Sequence, residues 1–442
     1  MKTKRFAIGG IHLNKHKFSS RIEIEELSLP DKVYIPVKQH IGAPAKIVVA
    51  AGDKVKVGTL LAEADGVFSA NVSSSVSGEV LKIEEIDNGL GYPETVITIR
   101  REGDEFEPFM DMSPDIVREI PEDKAVLQQA IHRAGVVGMG GAGFPTPIKT
   151  AVPEGKKADI LIINGIECEP YLTADSRLME EKAEQIVIGA RILNKILGIQ
   201  NAVIAIDENK PRAIEILSKI TKSYIGVNVQ VCQSIYPMGG EKQLINAIAG
   251  KEVPSGKLPI DVGCVVQNVG TVYAVYEAVQ KHIPLFRRVL TVSGDIDWNP
   301  CNYLVRIGTP VSFVLEANHV NIDKVGKVLM GGPMMGTAIT SLDAPVTKTT
   351  SGITVLAEKT SLKPEPTACI RCAKCVDACP MGLMPFAIRQ AVEDDEMGEL
   401  KKLHVTDCIG CGCCAYACPA KIPLLDYCKL GKFELSKNAK KD

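Results

Sequence analysis

The sequence lacks several features that would point directly to a class of function. No apolar run approaches the roughly 20 residues that a helix needs to cross a bilayer. The net charge is −2, which leaves no basic surplus for binding nucleic acid, and aromatic residues make up only 5% of the chain. The basic N-terminus becomes glycine-rich before any signal-like apolar core. We therefore expect no membrane span, no nucleic-acid partner and no export.

Cysteine, by contrast, is abundant, with 14 among 442 residues. In a long chain without an export signal, cysteines are more often metal ligands or reactive groups than disulfide partners. Ten of them lie between Cys369 and Cys428, and the others are scattered singly. The length predicts about two to four domains, so this cysteine-rich segment is expected to form a domain of its own.

The clustered cysteines contain two copies of one motif. The motif is C-x2-C-x2-C-x3-C-P, and its copies cover Cys369–Pro380 and Cys408–Pro419. In sequences of this type, three thiolates of one copy bind one [4Fe-4S] cube and the fourth binds the other cube. This rule predicts a first ligand set of Cys369, Cys372, Cys375 and Cys418, and a second set of Cys408, Cys411, Cys414 and Cys379.

Tandem zinc sites are the alternative for these cysteines. Zinc needs only four nitrogen or sulfur ligands, and its chemistry does not require the 2-2-3 spacing or the prolines that follow Cys379 and Cys418. Two iron–sulfur clusters are therefore the stronger prediction. Cys413 and Cys428 belong to neither set and are therefore surplus. Cys413 lies inside the second copy, but its position does not match the C-x2-C-x2-C-x3-C spacing.

Residues 1–105 are rich in Val, Ile, Gly and Ser in short alternating runs, which predicts β structure. Within them, 47–63 and 76–80 resemble the barrel-sandwich hybrid of biotinyl and lipoyl domains. In that family a lysine at a hairpin tip carries the cofactor, but residues 64–75 contain no lysine. We therefore interpret this module as structural.

The glycine loop, Gly138–Lys149, matches the dinucleotide pattern G-x-G-x-x-G through its glycines at 138, 140 and 143. A Rossmann fingerprint follows a strand and opens a helix. Here a helix is predicted before the loop, over 125–134, and Pro145 and Pro147 argue against a helix immediately after it. We predict that the loop holds a cofactor, but not in the Rossmann manner.

A β-α-β-α-β rhythm follows the glycine loop. Strands are predicted at 159–164, 202–207 and 227–232. Helices are predicted over 176–197, from 211, and over 263–281. This order implies a mostly parallel sheet with helices on its faces. The polar turn after the first strand, 164–170, lies where such sheets bind ligands.

The rest of the chain returns to β patterns before the cysteines. Strands are predicted at 289–294 and 310–315. A second glycine-rich stretch, 331–336, is interpreted as a turn that closes a small β-rich domain, with ligand contact as the alternative. A polar linker over 347–366 then leads to the cysteine motifs, between which 385–403 has helical character.

Two [4Fe-4S] clusters predict a further cofactor. Such clusters pass electrons singly, whereas a nicotinamide exchanges two electrons as a hydride, and a flavin converts between the two modes. This requirement gives the glycine loop a specific interpretation as a flavin site.

The motifs around the loop resemble the flavin site of the NADH-binding subunit of respiratory complex I. The resemblance is carried by Gly140–Thr146 with Lys149, by Asn164–Pro170, by Gly239–Lys242 and by Gln267–Thr271. It implies FMN and NAD(H) as cofactors. The binding residues that it implies are Gly138, Gly140, Gly141, Gly143, Phe144, Lys149, Asn164, Glu167, Glu169, Glu241, Asn268 and Thr271.

Within that resemblance, the loop amides and Lys149 neutralise the FMN phosphate. Phe144 and Glu241 are the predicted catalytic residues, Phe144 by packing on a ring and Glu241 by orienting hydroxyl groups together with the two glutamates of the polar turn. Phe144 has an alternative as a core residue. Simple helix capping is the alternative for the predicted asparagines and threonine.

Two features depart from complex I, whose subunit has one cluster motif and no N-terminal β module. Both are shared by the C subunits of the Rnf/Rsx ion-translocating ferredoxin:NAD+ oxidoreductases, which the chain resembles from Gly9–His12 to the second motif. That resemblance implies a peripheral subunit on the cytoplasmic face of the cell membrane that exchanges electrons between NAD(H), FMN and two [4Fe-4S] clusters. It implies Rnf membrane and peripheral subunits as partners, with ferredoxin reached through other subunits.

The expected fold is multidomain α/β. It comprises a barrel-sandwich hybrid over 1–105, a Rossmann-like FMN/NADH domain over 115–285, a β-grasp-like (SLBB) domain over 286–350 and a helical dicluster ferredoxin domain over 360–442. Two other functions remain open: a cobalamin reductase of a diol-utilisation pathway, and a non-catalytic iron–sulfur adaptor. The intact glycine loop with Lys149 argues against the adaptor.

Overall fold

The computed structural model describes residues 2–296 and 299–438, so 439–442 of the expected cluster domain lie outside the described part.

The N-terminal part forms two antiparallel sheets, which enclose an apolar core that includes Val33, Leu61 and Ile97. Its strands are β1 (Ile24–Glu26), β2 (Lys32–Pro36), β3 (Lys46–Ile47), β4 (Lys54–Val55), β5 (Leu60–Glu63), β6 (Val72–Ser73), β7 (Gly78–Asp87) and β8 (Pro93–Arg101). One sheet has the order β2-β8-β7-β4, the other β3-β5-β6, and β1 belongs to a different sheet.

The next part of the chain contains α1 (Lys124–Arg133), α2 (Thr146–Thr150), β9 (Ile160–Gly165), α3 (Ala174–Glu181), α4 (Ala183–Leu197), β10 (Ala202–Asp207), α5 (Pro211–Ile220), β11 (Val227–Cys232), α6 (Glu241–Ala249), β12 (Cys264–Asn268) and α7 (Val269–Gln280). The four strands form a parallel sheet in the order β11-β10-β9-β12.

Both faces of this parallel sheet are covered, which explains the uninterrupted apolar run of β9. Successive side chains of a strand point to opposite faces. Leu161 and Ile163 therefore pack with α4 and α7, whereas Ile162 packs with Leu244 and Ile245 of α6. Helices on both faces leave the carboxyl edge of the sheet free for a site.

A six-stranded mixed sheet follows. The elements are β13 (Arg287–Gly294), β14 (Cys301–Arg306), α8 (Val311–Ala317), β15 (Val325–Met330), β16 (Thr337–Ala338), β17 (Gly352–Ala357) and α9 (Glu358–Ser361). The order is β1-β14-β13-β17-β15-β16, and β1 pairs in parallel with β14, Ile24 opposite Asn302. The N-terminal segment thus completes a sheet whose other strands lie more than halfway along the chain.

The cysteine-rich part is helical. Its helices are α10 (Lys374–Asp377), α11 (Pro385–Glu393), α12 (Met397–Lys402), α13 (Cys413–Ala417) and α14 (Leu424–Asn438). Helices α11 and α12 confirm the helical character predicted for 385–403. Throughout the described residues, no helix combines the length and apolarity that a bilayer crossing needs.

Two sequence predictions about secondary structure were wrong. Helix α2 begins at Thr146, within the glycine loop and soon after its last glycine, Gly143, although the prolines argued against it. The first turn of a helix tolerates proline, because its N–H groups have no partner within the helix. Residues 310–315 are not a strand but form most of α8, in which Val311, Val314 and Leu315 are buried at helical spacing.

Three boundaries also differ. The helix predicted over 263–281 begins with a strand, β12, and only continues as α7. The predicted linker 347–366 contains β17, whose apolar residues are buried in the centre of the mixed sheet. The helix predicted over 176–197 is divided into α3 and α4 at Lys182.

Candidate functional site

The segments predicted to form the flavin site meet at the carboxyl edge of the parallel sheet. β9 and β12 are adjacent, and Asn164 lies opposite Asn268. The Asn164 side chain donates a hydrogen bond of 2.9 Å to the carbonyl of Gly239. The hydroxyl of Thr271 accepts one of 2.9 Å from the N–H of Met139 in the glycine loop. Asn164 and Thr271 therefore attach neighbouring loops to the sheet edge.

The glycine loop presents backbone N–H groups at the surface. Gly140, Gly141 and Ala142 are exposed. Their N–H groups, and that of Gly143, donate to no protein acceptor in the part of the chain that the structure describes. Gly141 has a φ of +133° and Gly143 a φ of +64°, so side chains are disfavoured at both positions. A run of free amides of this kind fits a phosphate group.

Lys149 and Glu241 form an ion pair beside the loop, with 2.7 Å between Nζ and Oε1. Glu241 is the first residue of α6, where the helix dipole favours a negative charge. Both side chains are partly exposed. An anion at the loop would therefore share Lys149 with Glu241.

Phe144 is half-buried and packs edge-on against Phe68 of the N-terminal module, with 5.9 Å between the ring centroids. The carbonyl of Gly143 accepts a hydrogen bond from the N–H of Ile41 in the same module. Phe144 therefore packs against another part of the protein, as the alternative of a core residue predicted. The N-terminal module, interpreted from sequence as structural, supports the glycine loop directly.

The polar turn after β9 places its two glutamates differently. Glu167 is buried, accepts hydrogen bonds from the N–H groups of Asp175 and Ser176 at the start of α3, and lies within 4.0 Å of the amino groups of Lys17 and Lys210. These contacts fix Glu167 inside the fold. It therefore anchors α3 and is not free to reach a ligand without rearrangement.

Glu169 accepts a hydrogen bond of 3.0 Å from the N–H of Met334 through one oxygen, and its other oxygen is buried without a protein partner. Burial raises the pKa of Glu169 to about 7. Met334 belongs to the second glycine-rich stretch, which forms the turn between β15 and β16. The interpretation of 331–336 as a turn is confirmed, since it joins the antiparallel strands β15 and β16, and ligand contact by this stretch stays a prediction.

Asn268 and Thr271 have structural partners of the kind that the capping alternative predicted. The Asn268 oxygen accepts from the N–H groups of Gly270 and Thr271 and caps α7. Its amide nitrogen also donates a hydrogen bond of 2.7 Å to Asp175. Burial, together with the charge of Glu167, raises the pKa of Asp175.

Three residues around the site were not predicted: Asp175, Arg288 and Lys348. The guanidinium of Arg288 donates to the carbonyls of Lys348 and Met139, at 2.6 and 3.5 Å. The buried amino group of Lys348 donates to the carbonyls of Asn71 and Gly135, and burial lowers its pKa to about 7. No sequence motif marks these residues, because their partners are mostly backbone groups that are distant in the chain.

The cysteines of the second predicted ligand set line one cavity, which lies between the two motifs and which we call the inner site. Cys379 comes from the first motif, and the other three come from the second, as the shared-ligand rule predicts. The surplus cysteines also line this cavity. The members of the predicted set are Cys379, Cys408, Cys411 and Cys414.

The first predicted set, which we call the outer site, is less enclosed. Cys375 and Cys418 are buried and pack together, whereas Cys369 and Cys372 are exposed. Among the described residues, no three His, Cys, Asp or Glu side chains are arranged around a point that suits a single metal ion. A [4Fe-4S] cube takes one thiolate on each iron, so its four ligands do not converge on one point.

A seam joins the inner site to the flavin-site loops. The phenol of the buried Tyr236 donates a hydrogen bond of 2.8 Å to the carbonyl of Cys411. The N–H of Gly10 donates to the carbonyl of Ala378, at 3.1 Å. Gln243, in α6, donates to the carbonyl of Pro380, at 3.2 Å. The inner site therefore lies against the α/β part, close to the start of α6, which carries Glu241.

Three family models match the chain, each over one of the regions predicted from the sequence. The "RnfC Barrel sandwich hybrid domain" matches residues 5–104, the "Nuo51 FMN-binding domain" matches 131–277, and the "4Fe-4S dicluster domain" matches 368–422. The predicted barrel-sandwich, flavin and dicluster regions are thus each similar to a separately defined family.

Two curated proteins are similar over most of the chain. The C subunit of a "Proton-translocating ferredoxin:NAD(+) oxidoreductase complex" from Clostridium ljungdahlii is 42% identical over 89% of this chain and 86% of the relative. The C subunit of a "Na(+)-translocating ferredoxin:NAD(+) oxidoreductase complex" from Acetobacterium woodii is 40% identical over 97% of this chain and 96% of the relative.

Among solved structures, an NAD+-reducing [NiFe]-hydrogenase in the H2-reduced state is similar in fold. The TM-score is 0.51 at 18% identity, over 74% of this chain and 64% of that chain.

Proposed function

The chain belongs to the family of C subunits of ion-translocating ferredoxin:NAD+ oxidoreductase complexes, and on this premise we propose that it transfers electrons between NAD(H) and a one-electron chain through FMN and two [4Fe-4S] clusters. The observation that carries the proposal is the seam, because it holds a cavity lined by cysteines against the start of α6, where Glu241 is paired with Lys149 of the glycine loop. The matches to an FMN-binding domain and a dicluster domain support both cofactors. The relatives are C subunits of ferredoxin:NAD(+) oxidoreductase complexes, which favours this function over a cobalamin reductase.

In this proposal, FMN converts between the two-electron chemistry of NAD(H) and single electrons when it is bound at the sheet edge. The free amides of Gly140–Gly143 and the amino group of Lys149 hold its phosphate. Glu241 is paired with the same Lys149 amino group. Together with Phe144, it contacts the nicotinamide side of the site. Asn164 and Thr271 keep the surrounding loops at the edge of the sheet.

The eight predicted cysteines hold the clusters in the two sets given above. The inner cluster, next to Tyr236, exchanges electrons with the flavin site, and the outer cluster exchanges them with the next carrier. Protein around the inner site excludes water there, whereas the outer site opens to the surface. Electrons therefore enter or leave the chain at the outer site.

The finer features of the fold and of the setting are also proposals. We assign a Rossmann-like character to the α/β part, a β-grasp-like (SLBB) character to the mixed sheet, and the domain bounds 1–105, 115–285, 286–350 and 360–442. We further propose that the chain is a peripheral subunit on the cytoplasmic side of the membrane, bound to the membrane and peripheral subunits of its complex, with ferredoxin reached through other subunits.

The test is anaerobic reconstitution of the full chain with iron, sulfide and FMN. We expect about eight irons and about one FMN per chain, and NADH-dependent reduction of a dye. Lys149→Met is expected to weaken FMN binding by about tenfold, because a charge-assisted contact to the phosphate is lost. Protein that binds its iron but neither binds FMN nor oxidises NADH would contradict the proposal.

Lys156→Met is the matched control for Lys149→Met. Lys156 forms an ion pair of the same kind with Asp261, at 2.8 Å, outside the site. Its removal is expected to leave FMN binding and iron content unchanged. If Lys149→Met lowered the iron content as much as the FMN content, the assignment of Lys149 to the flavin site would be wrong.

A further inference from the structure

Cys428 is a thiol at the inner site that belongs to neither motif. It lies in α14, after the last motif cysteine, and is only 1% exposed. It lines the same cavity as the four predicted ligands of the inner cluster. Its thiol is hydrogen-bonded to the thiols of Cys408 and Cys414. Because a [4Fe-4S] cube binds four cysteines, the cavity holds more thiols than one cube can use.

The fold keeps Cys428 next to Cys408. Lys432 follows one helical turn later, on the same face of α14, and its amino group donates a hydrogen bond of 2.7 Å to the carbonyl of Cys408. Cys428 also packs in one apolar cluster with Leu383 and with Ile388 of α11. Helix α14 is thus attached to the segments on both sides of the cavity, and this attachment presents the Cys428 thiol to Cys408.

Cys413, the other surplus cysteine, has a different setting. It is fully buried and its thiol is hydrogen-bonded to that of Cys411, but the thiol also donates to the carbonyl of Tyr236, at 4.0 Å, in the seam. Among the described residues, the thiol of Cys428 has no backbone acceptor of this kind. A buried free cysteine usually serves as a small apolar core residue, and Cys413 fits that role. Cys428, whose partners are thiols of two predicted ligands, fits a metal site better.

We propose that Cys428 is a reserve ligand of the inner cluster, which takes the place of Cys408 on one iron when the Cys408 thiolate is absent. This inference rests on the proposed function, because it needs the inner cluster to be bound. The step is a ligand substitution without electron transfer. The Cys428 thiol releases its proton to solvent, and its sulfur forms the bond to the iron that Cys408 would have bound. The cube keeps four thiolates and its oxidation state.

A hydrogen bond from Cys428 to the Cys408 sulfur is the competing role. Such a bond would adjust the reduction potential of the inner cluster without holding iron. The two roles give the same iron content while Cys408 is present. They differ once Cys408 is removed, because only a reserve ligand then retains the cluster.

The experiment uses the full chain, reconstituted anaerobically with iron, sulfide and FMN. Cys408→Ala removes the predicted ligand, and Cys408→Ala/Cys428→Ala removes the reserve ligand as well. Cys408→Ala/Cys413→Ala is the matched control, because it removes the other surplus thiol of the same cavity. Cys411→Ala removes a ligand that is not a hydrogen-bond partner of Cys428. Iron, sulfide and FMN contents are measured, together with electron paramagnetic resonance after dithionite reduction.

Cys408→Ala should keep about eight irons per chain, as should its control with Cys413→Ala, whereas Cys408→Ala/Cys428→Ala should keep about four. The signal of the inner cluster should persist in Cys408→Ala and disappear from the variant that also lacks Cys428. Cys411→Ala should fall to about four irons, because no reserve thiol reaches that position. Equal iron contents in Cys408→Ala and Cys408→Ala/Cys428→Ala, whether high or low, would overturn the proposal.

FMN content shows whether each variant is folded, since the predicted flavin site lies in the α/β part. If the alanine pair does not fold, Cys408→Ala/Cys428→Val takes its place, because valine fills the space of the thiol in its apolar cluster but cannot bind iron. A wild type without FMN or without two clusters would contradict the proposed function. A fully loaded wild type with equal single and double variants would overturn only the role of Cys428.

Discussion

The two cysteine motifs have the same spacing, yet the structure gives them different surroundings. The inner site is enclosed by both motifs and lies against Tyr236 and the N-terminal segment. The outer site has two exposed cysteines, and Arg371 and Lys374 beside them in the chain are exposed as well. Since the motifs themselves are nearly equivalent, the difference comes from the rest of the chain. Spacing predicts which cysteines share a cluster, and tertiary packing determines whether each cysteine set faces the protein or the solvent.

The largest expected difference between the sites concerns their ligands. Cys411→Ser should remove the inner cluster, lower the iron content from about eight to about four per chain, and stop NADH from reducing the outer cluster. Cys372→Ser should remove the outer cluster but leave NADH able to reduce the inner one. Electron paramagnetic resonance after addition of NADH, compared with dithionite, measures both effects.

Cys413→Ser is the control for these ligand variants. Cys413 is fully buried within the second motif but is not a predicted ligand. Its substitution should leave the iron content and both cluster signals in place. Should it remove a cluster, the register of the second motif would need to be revised.

A smaller effect is expected from Gly9→Ala, which tests the seam. A Cβ at Gly9 would lie 2.4 Å from the carbonyl oxygen of Cys379, and its φ is +69°. Gly256 has a φ of +70° but nothing within 4 Å of its Cβ position. Both alanine variants carry the same backbone strain, so any additional loss of thermal stability or of NADH-driven cluster reduction in Gly9→Ala reports the contact with Cys379.

Tyr236→Phe should cost about 1–3 kcal/mol of unfolding free energy, because it leaves the buried carbonyl of Cys411 without its donor. Tyr416→Phe, on the exposed outer side, should change the stability by less than about 0.5 kcal/mol. Urea unfolding of the two reconstituted variants measures both values. Equal losses would mean that the seam does not distinguish the two sites.

The smallest expected effect is a pH dependence at Glu169, whose partner Met334 also packs against the apolar cluster that contains Cys411 and Cys413. Burial raises the pKa of Glu169 from 4.5 to about 7. Between these values the folded protein holds a proton that the unfolded chain has lost, so the contribution of Glu169 to the unfolding free energy falls as the pH rises.

Glu169→Gln should remove this slope, because glutamine does not titrate. Urea unfolding at several pH values between about 4.5 and 7 measures it. Glu365 is exposed and precedes the first cysteine motif in the chain. Glu365→Gln is the control and should keep the wild-type slope. An unaltered slope in Glu169→Gln would assign the pH dependence to other groups.

The sequence was most informative where chemistry requires a fixed spacing. The motif predicted that the cysteines of the second set lie together, and they line one cavity, although their ligand roles stay a prediction. The parallel sheet followed from short apolar runs such as 202–207, which is β10 without any change of boundary. Prediction was weaker where a helix begins at a proline, as in α2, and where a short apolar segment suits either a strand or a helix, as in α8.

Tertiary position was the part of the site that sequence did not reveal. Glu167 was predicted to face a ligand but caps α3, because two N–H groups and two lysines surround it. Arg288 and Lys348 support the glycine loop through carbonyl groups of residues far away in the chain. Such contacts depend on which segments become neighbours, and local patterns carry no information about that.

The N-terminal segment has a consequence for how the protein is made. Its first residues pair with Cys232 and Tyr236, Gly10 bonds to Ala378, and the carbonyl of Ser19 accepts a hydrogen bond from Asn302, 283 residues later. A nascent chain cannot form these contacts until the ribosome has completed most of the protein. The first part to be synthesised is thus among the last to be fixed in place.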